Sequence, residues 1–140
     1  MKTIVAYTDG GSRGNPGPSG LGVYITNESG KMIAEVKKFL GDGTNNTAEY
    51  QAVVTALKTL KRKFGMKTQS MQFEIRMDSE LIQRQLNGVY RVKHPNLIPL
   101  YTEIEKLRCA HFPYITFVHV RRELNKEADR LANEAMDAGE

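Results

Sequence analysis

Four acidic side chains combine residue type and position in a way that could support chemistry: Asp9, Glu49, Asp78 and Asp129. Asp9 and Asp78 each follow an apolar run with strand character, whereas Glu49 and Asp129 each lie in the first turn of an amphipathic helix pattern. Clustered carboxylates without a nearby basic partner suit hard divalent cations such as Mg²⁺. Two such ions about 3.5–4 Å apart can hold the attacking and leaving oxygens of phosphodiester cleavage.

Each acid also has an ordinary local explanation, and these explanations stay open at this point. They are a turn dipeptide for Asp9–Gly10, a capping box for Asn46 and Glu49, an N-cap for Asp78 and a helix-dipole contact for Asp129. Taken together, four carboxylates at one edge of a fold would repel one another strongly without cations. The set of four therefore favours a metal site more than any single acid does.

The elements that position these acids follow from hydrophobic periodicity. Strands are predicted at residues 3–8, 21–26, 32–40, 71–77 and 114–120. Helices are predicted at about 47–64, 79–86 and 97–110, and a last helix is capped by Asn125. Residues 9–20 are rich in Gly, Pro, Ser and Asn, which predicts a turn.

The order βββαβααβα predicts how the strands assemble. The first three strands form an antiparallel meander, and the first and fourth can pair in parallel through a crossover that contains the long helix. A three-layer α/β domain with a mixed five-stranded sheet satisfies this order. Ligands of open α/β sheets bind beyond the carboxyl ends of strands, where Asp9 and Asp78 would then lie side by side.

Composition excludes several classes of protein. The chain has 140 residues, 40% hydrophobic and 26% charged, which suits one globular domain over residues 1–140. No apolar run approaches the ~18 residues of a membrane span, and no signal-peptide pattern is present. A single cysteine cannot form an internal disulfide, so we expect a cytoplasmic protein. We also expect a monomer without an obligate protein partner or a membrane partner. The net charge of +4 is compatible with nucleic acid.

Four motifs give the chain a family resemblance. They read VAYTDGGSRGNPGPSG at 5–20, TNNTAEYQA at 44–52, MDSELI at 77–82 and NKEADRLAN at 125–133. In this order and spacing they resemble type 1 ribonuclease H over essentially the whole chain. The resemblance implies the ribonuclease H-like fold, with sheet order 3-2-1-4-5 flanked by helices.

The resemblance also implies an activity. Family members are metal-dependent endonucleases that cut the RNA strand of RNA/DNA hybrids and leave 5′-phosphate and 3′-hydroxyl ends. The family's acidic tetrad falls on Asp9, Glu49, Asp78 and Asp129, with two Mg²⁺ ions that Mn²⁺ can replace. By this resemblance Asp9 bridges the two ions, Asp78 and Asp129 hold the water-activating ion, and Glu49 lies with the ion at the leaving 3′-oxygen.

Substrate contacts are carried over from the same resemblance. They fall on Gly11, Ser12, Arg13, Asn15, Thr44, Asn45, Asn46 and Ser79. The 2′-hydroxyl is a donor and an acceptor that lets a protein distinguish RNA from DNA. A nucleic-acid strand must also approach the protein backbone closely, which the glycines of the first motif permit.

The chain departs from the family pattern in two places. It has no Trp, and residues 90–95 stand where some relatives carry a basic, Trp-containing handle. The loop at 120–125 is short and lacks the His of many relatives, because His119 belongs to the preceding strand pattern. Arg121 or Arg122 is the candidate replacement, with an electrostatic role only, since arginine stays charged near neutral pH.

Other functions remain as alternatives. A catalytically weak hybrid-binding module on the same fold is supported by the short loop alone. A DNA-directed or integrase-like nuclease is disfavoured by Asn15 and by the Asn45–Asn46 pair, which match 2′-hydroxyl readers. A basic nucleic-acid-binding protein with incidental acids would show salt-sensitive binding without metal dependence.

Overall fold

The computed structural model describes residues 1–139, which contain five β-strands and four α-helices. The strands are β1 (Thr3–Ser12), β2 (Gly17–Thr26), β3 (Met32–Gly43), β4 (Gln72–Met77) and β5 (Ile115–His119). The helices are α1 (Asn45–Phe64), α2 (Glu80–Leu86), α3 (Ile98–His111) and α4 (Lys126–Ala138), with 3₁₀ turns at Gly65–Ser70 and Arg122–Leu124. In this described part, no helix is both long and apolar enough to cross a membrane.

The five strands form one mixed sheet in the order β3-β2-β1-β4-β5. Strand β2 runs antiparallel to β1 and β3, whereas β4 runs parallel to β1 and β5. The predicted sheet order and strand directions are therefore confirmed. The last parallel pair between β1 and β4 joins Thr8 to Met77, so the residues that follow, Asp9 and Asp78, leave the pairing side by side.

Helices cover both faces of the sheet. Gly10 of β1 lies against Ala48 of α1, whereas the next residue, Gly11, faces Met136 of α4. Because successive strand residues point to opposite faces, α1 and α4 lie on opposite sides of the sheet. The main core lies on the α1 side and includes the buried ring of Phe73. Burying one such side chain stabilises a fold by about 1.5–3 kcal/mol.

The prediction of a turn over residues 9–20 is wrong at both ends. Strand β1 continues to Ser12 and β2 begins at Gly17, so only four residues connect them. The glycines serve close packing: a Cβ atom at Gly10 would overlap the backbone of Ala48, and one at Gly22 would overlap the carbonyl oxygen of Ala128. Glycine thus lets α1 and α4 touch the sheet backbone beside Asp9.

The start of α1 differs from the predicted capping box. Thr44 is the N-cap, and its hydroxyl accepts a 3.2 Å hydrogen bond from the backbone N–H of Thr47. The Thr47 hydroxyl accepts a 3.1 Å hydrogen bond from the Thr44 N–H in return. The capping box is therefore one of Thr44 and Thr47, and the alternative with Asn46 and Glu49 is wrong. The Glu49 carboxylate therefore takes no part in capping α1.

The starts of α2 and α4 also differ from the predicted ones. Ser79, rather than Asp78, is the N-cap of α2, and its hydroxyl accepts a hydrogen bond from the Ile82 N–H. Asn125 occupies the N-cap position of α4 as expected, but its side chain makes no capping hydrogen bond. It instead donates to the Thr8 carbonyl oxygen at 2.9 Å, because the polar end of a buried strand lies within reach.

Candidate active site

Three carboxyl groups converge where β1, β4 and α1 meet. Asp9, Glu49 and Asp78 each offer one oxygen, and these oxygens all lie within 4.8 Å of one another. The parallel pairing brings Asp9 next to Asp78, and the backbone contact at Gly10 brings the first turns of α1 next to both. The predicted convergence of these three acids is therefore present in the structure.

The fourth acid reaches the cluster from the other face of the sheet. Asp129 lies in the first turn of α4, lines the same cavity as the other three acids, and contributes to the raised pKa of Asp9. The position of this turn depends on Asn125, which is 1% exposed and bonded to the Thr8 carbonyl next to Asp9. Sequence reasoning assigned Asn125 to capping and missed this bond, which joins residues 117 positions apart.

Burial, together with the crowding of negative charge, raises the pKa of two of these acids. The pKa of Asp9 is raised from 3.8 to about 8, first by burial and then by the charges of Asp78, Glu49 and Asp129. The pKa of Glu49 is raised from 4.5 to about 8 by burial and by Asp78, while a hydrogen bond with the Ser79 hydroxyl lowers it. A nearby positive charge would therefore stabilise the ionised form of these acids.

The donor set fits a hard divalent cation. Carboxylate oxygens within 4.8 Å of one another are ligands that Mg²⁺ and Mn²⁺ accept, and neither sulfur nor imidazole is part of the cluster. A bound cation would also offset both the burial and the mutual repulsion that raise the pKa of Asp9 and Glu49.

The acids form the floor of an open cavity of about 460 Å³. The remaining walls come from the end of β1 and the residue after it, from the first residue of α1, from the 3₁₀ turn before α4, and from α4. The residues are Gly10, Gly11, Ser12, Arg13, Asn45, Arg122, Ala132, Asn133 and Met136. Polar and backbone groups dominate these walls, which suits a polar, extended ligand more than a small apolar one.

Comparison with known proteins decides the family. The family described as reverse transcriptase-like matches residues 7–135. A Ribonuclease H of Clostridium botulinum is 32% identical, over 98% of this chain and 97% of its own length. A ribonuclease H1 isolated from compost, solved with an RNA/DNA hybrid, is 49% identical, with a TM-score of 0.93 over 96% of this chain and 97% of that one. The chain belongs to the type 1 ribonuclease H family.

Some members of the family are longer than this chain. The Bifunctional protein Rv2228c of Mycobacterium tuberculosis is 40% identical over 96% of this chain, but the match covers 36% of its length. The chain thus spans about a third of that relative's length.

The residues that the family resemblance assigned to substrate fall into two groups. Gly11, Ser12, Arg13 and Asn45 line the cavity. Ser12 donates to Asn45 Oδ1 through its backbone N–H at 2.8 Å and through its hydroxyl at 3.2 Å. Because Oδ1 is occupied in this way, Asn45 can offer a ligand only the donors of its NH₂ group.

The other assigned residues are not among those that line the cavity. Asn15 Oδ1 accepts from the backbone N–H of Asn45 at 3.1 Å, so it braces a wall residue. The hydroxyls of Thr44 and Ser79 cap helices, and the Ser79 hydroxyl also lowers the pKa of the Glu49 carboxyl. Asn46 is exposed in the first turn of α1.

The structure separates the two loop arginines. Arg122 lines the cavity with the four acids. The Arg121 side chain is 82% exposed and lies 4.0 Å from the carboxylate of Glu123. Of the two candidate replacements for the family's histidine, Arg122 alone reaches the cavity wall.

Sequence reasoning missed one wall of the cavity, which α4 supplies through Ala132, Asn133 and Met136. Asn133 donates through Nδ2 to the carbonyl oxygen of Asp129 at 3.0 Å. A signal was available, because residues four apart on a helix share a face and Asn133 follows Asp129 by four.

Proposed function

We propose that the chain is a divalent-metal-dependent endoribonuclease that hydrolyses the RNA strand of RNA/DNA hybrids. The observation that carries this proposal is the convergence of Asp9, Glu49 and Asp78 on the floor of a cavity open to an extended ligand. Support comes from the relative that was solved with an RNA/DNA hybrid and from the relatives named ribonuclease H.

In this proposal Asp9, Glu49, Asp78 and Asp129 hold two Mg²⁺ ions, and Mn²⁺ can substitute. When bound, such ions activate water and stabilise the leaving oxygen of a phosphodiester. The acids must be ionised for this purpose, so binding of the cations and loss of the protons from Asp9 and Glu49 are coupled. The proposed products carry 5′-phosphate and 3′-hydroxyl ends.

The cavity walls supply recognition in this proposal. The NH₂ group of Asn45 can donate to sugar oxygens, including the 2′-hydroxyl that distinguishes RNA from DNA. The guanidinium groups of Arg13 and Arg122 suit phosphate oxygens because they donate several hydrogen bonds from one plane. Gly11 places no side chain on the cavity wall, which leaves room for a nucleic-acid strand to approach the protein backbone.

A catalytically weak hybrid-binding module is the second candidate. The loop before α4 favours it, because its cavity-facing residue is Arg122, which cannot transfer protons near neutral pH. The two candidates differ in turnover and share hybrid binding.

Cleavage of an end-labelled RNA/DNA hybrid in Mg²⁺ tests both candidates, with single-stranded RNA and duplex DNA in parallel. We expect cutting of the hybrid's RNA strand alone, loss of cutting with chelator, and loss in Asp9→Asn. Glu103→Gln on α3, whose carboxylate pairs with Lys58 and does not line the cavity, is the matched control and should cut normally. Hybrid binding without cutting in Mg²⁺ or Mn²⁺ would establish the binding module instead.

The cytoplasmic location, the monomeric state, the lack of an obligate protein partner and the single domain over residues 1–140 stay predictions. Size-exclusion chromatography with light scattering measures the oligomeric state directly.

A further inference from the structure

Arg13 is anchored to α4 while it lines the cavity. Its Nη1 atom lies 2.5 Å from Oδ1 of Asp137, and its Nη2 atom lies 3.4 Å from Oδ1 and 3.5 Å from the carbonyl oxygen of Asn133. The Arg13 side chain is 47% exposed and that of Asp137 is 66% exposed. The guanidinium is thus held at both terminal nitrogens and remains accessible from solvent.

The residues that hold Arg13 lie on the same face of α4 as Asp129, the fourth acid of the cavity. Asp129, Asn133 and Asp137 are spaced by four residues, so they follow one face of α4. Asn133 also bonds to the backbone of Asp129, which connects the anchor of Arg13 to the turn that carries the fourth acid. Asp137 lies too far along the helix to join the three converging carboxylates, so its charge has a different use.

We propose that Asp137, assisted by Asn133, is a positioning residue that holds the Arg13 guanidinium at the cavity rim for a phosphate of the nucleic acid. This inference rests on the proposed function. A guanidinium has five N–H donors, and the two anchored nitrogens leave Nε–H and further N–H groups for the ligand. An arginine that is ordered before binding loses less conformational entropy on binding, so the anchor strengthens the complex.

A simpler role for Asp137 predicts the opposite change in hybrid binding when this residue is substituted. An acid that lies near a polyanion without positioning anything weakens binding, and its removal would tighten the complex. If Asp137 positions Arg13, its removal weakens binding even though a negative charge has been lost. The direction of the change in KM therefore separates the two roles.

The test compares KM and kcat for cleavage of an RNA/DNA hybrid in Mg²⁺ by wild type, Asp137→Asn, Arg13→Ala and the double variant. We expect Asp137→Asn to raise KM about three- to fivefold, the range of an exposed ion pair, with kcat nearly constant. Asp137→Glu should restore much of the loss. The double variant should match Arg13→Ala, because Asp137 acts through Arg13.

Glu134→Gln is the matched control, since it removes one charge from the same helix at a residue paired with Lys37 and Arg130. Its KM should stay equal to or below that of wild type. A KM of Asp137→Asn that is unchanged or lowered would overturn the inference. A rise of equal size in the Arg13→Ala background would also overturn it. A wild-type protein that cuts no hybrid refutes the proposed function instead.

A second readout does not depend on activity. Nitrogen-15 relaxation of the Arg13 Nε–H group in the ligand-free protein should report an ordered side chain in wild type and a mobile one in Asp137→Asn. Equal mobility in both proteins would overturn the inference, whatever the function.

Discussion

The side-chain NH₂ group of Asn125 donates a 2.9 Å hydrogen bond to the carbonyl oxygen of Thr8. This bond joins the start of α4, which carries Asp129, to the strand position directly before Asp9. The main chain at Asp9 and the first turn of α4 at Asp129, 120 residues apart in sequence, are therefore held close together despite the repulsion between the two carboxylates.

Removing this bond should damage both stability and activity. Asn125→Ala leaves the Thr8 carbonyl without its buried donor, so we expect the free energy of unfolding to fall by about 1–3 kcal/mol. We also expect kcat to fall about tenfold or more, since Asp129 loses its fixed position. Urea denaturation and saturating cleavage kinetics measure the two effects. Asn96→Ala, at an exposed position, is the control; an equal loss in both variants would contradict the prediction.

Metal-free protein should lose stability as the pH rises. The folded-state pKa of about 8 for Asp9 and Glu49 exceeds their ordinary values of 3.8 and 4.5. Between about pH 4 and pH 8 the folded protein retains protons that the unfolded chain releases, so unfolding is increasingly favoured in this window and the effect levels off above it. We expect the Tm in chelator to fall by about 5 °C or more from pH 5 to pH 8.

Two controls make this pH dependence specific. Asp9→Asn removes one buried charge and should flatten the fall in Tm. Millimolar Mg²⁺ should raise the Tm at pH 8 far more than at pH 5, because the cation binds the ionised cluster. A Tm that rises with pH in chelator would contradict the prediction.

Helix α4 lies so close to the sheet at Gly22 that this position has no room for a side chain. An added Cβ would overlap the carbonyl oxygen of Ala128 and crowd Leu131, so Gly22→Ala should destabilise the fold by about 1–3 kcal/mol. Gly11→Ala is the matched control, because its Cβ would lie 3.6 Å from Met136 in ordinary contact. Thermal unfolding of the two variants should differ clearly; equal Tm values would refute this account of the packing.

The two loop arginines should differ in their effect on cleavage. Arg122→Ala removes a cation from the cavity wall, and we expect kcat/KM to fall about tenfold, as for one lost charge-assisted hydrogen bond. Arg121→Ala changes a side chain that is 82% exposed and should stay within about twofold of wild type. Steady-state kinetics on one hybrid substrate decides this, and a larger loss in Arg121→Ala would reverse the assignment.

The sequence predicted the sheet order and the convergence of Asp9, Glu49 and Asp78, because periodicity and crossover rules act on whole elements. It failed for the glycines of residues 9–20. A glycine in a turn and a glycine under a helix look alike in a local window, and only the neighbouring element distinguishes them.

Capping residues show the same limit. Thr44 and Asn46 are both good N-cap types, so residue type alone does not decide which one begins the helix, whereas the reciprocal hydrogen bonds of Thr44 and Thr47 do. The bond from Asn125 depends on Thr8, which no short sequence window contains. Predictions that rest on contacts between distant parts of the chain therefore needed the structure.

The backbone contact at Gly10 has a consequence for engineering. Since no side chain separates β1 from the first turn of α1, the spacing of the Asp9 and Glu49 main chains is fixed by two touching backbones. Substitutions that repack the hydrophobic interior away from Gly10 and Ala48 are therefore expected to leave this spacing unchanged.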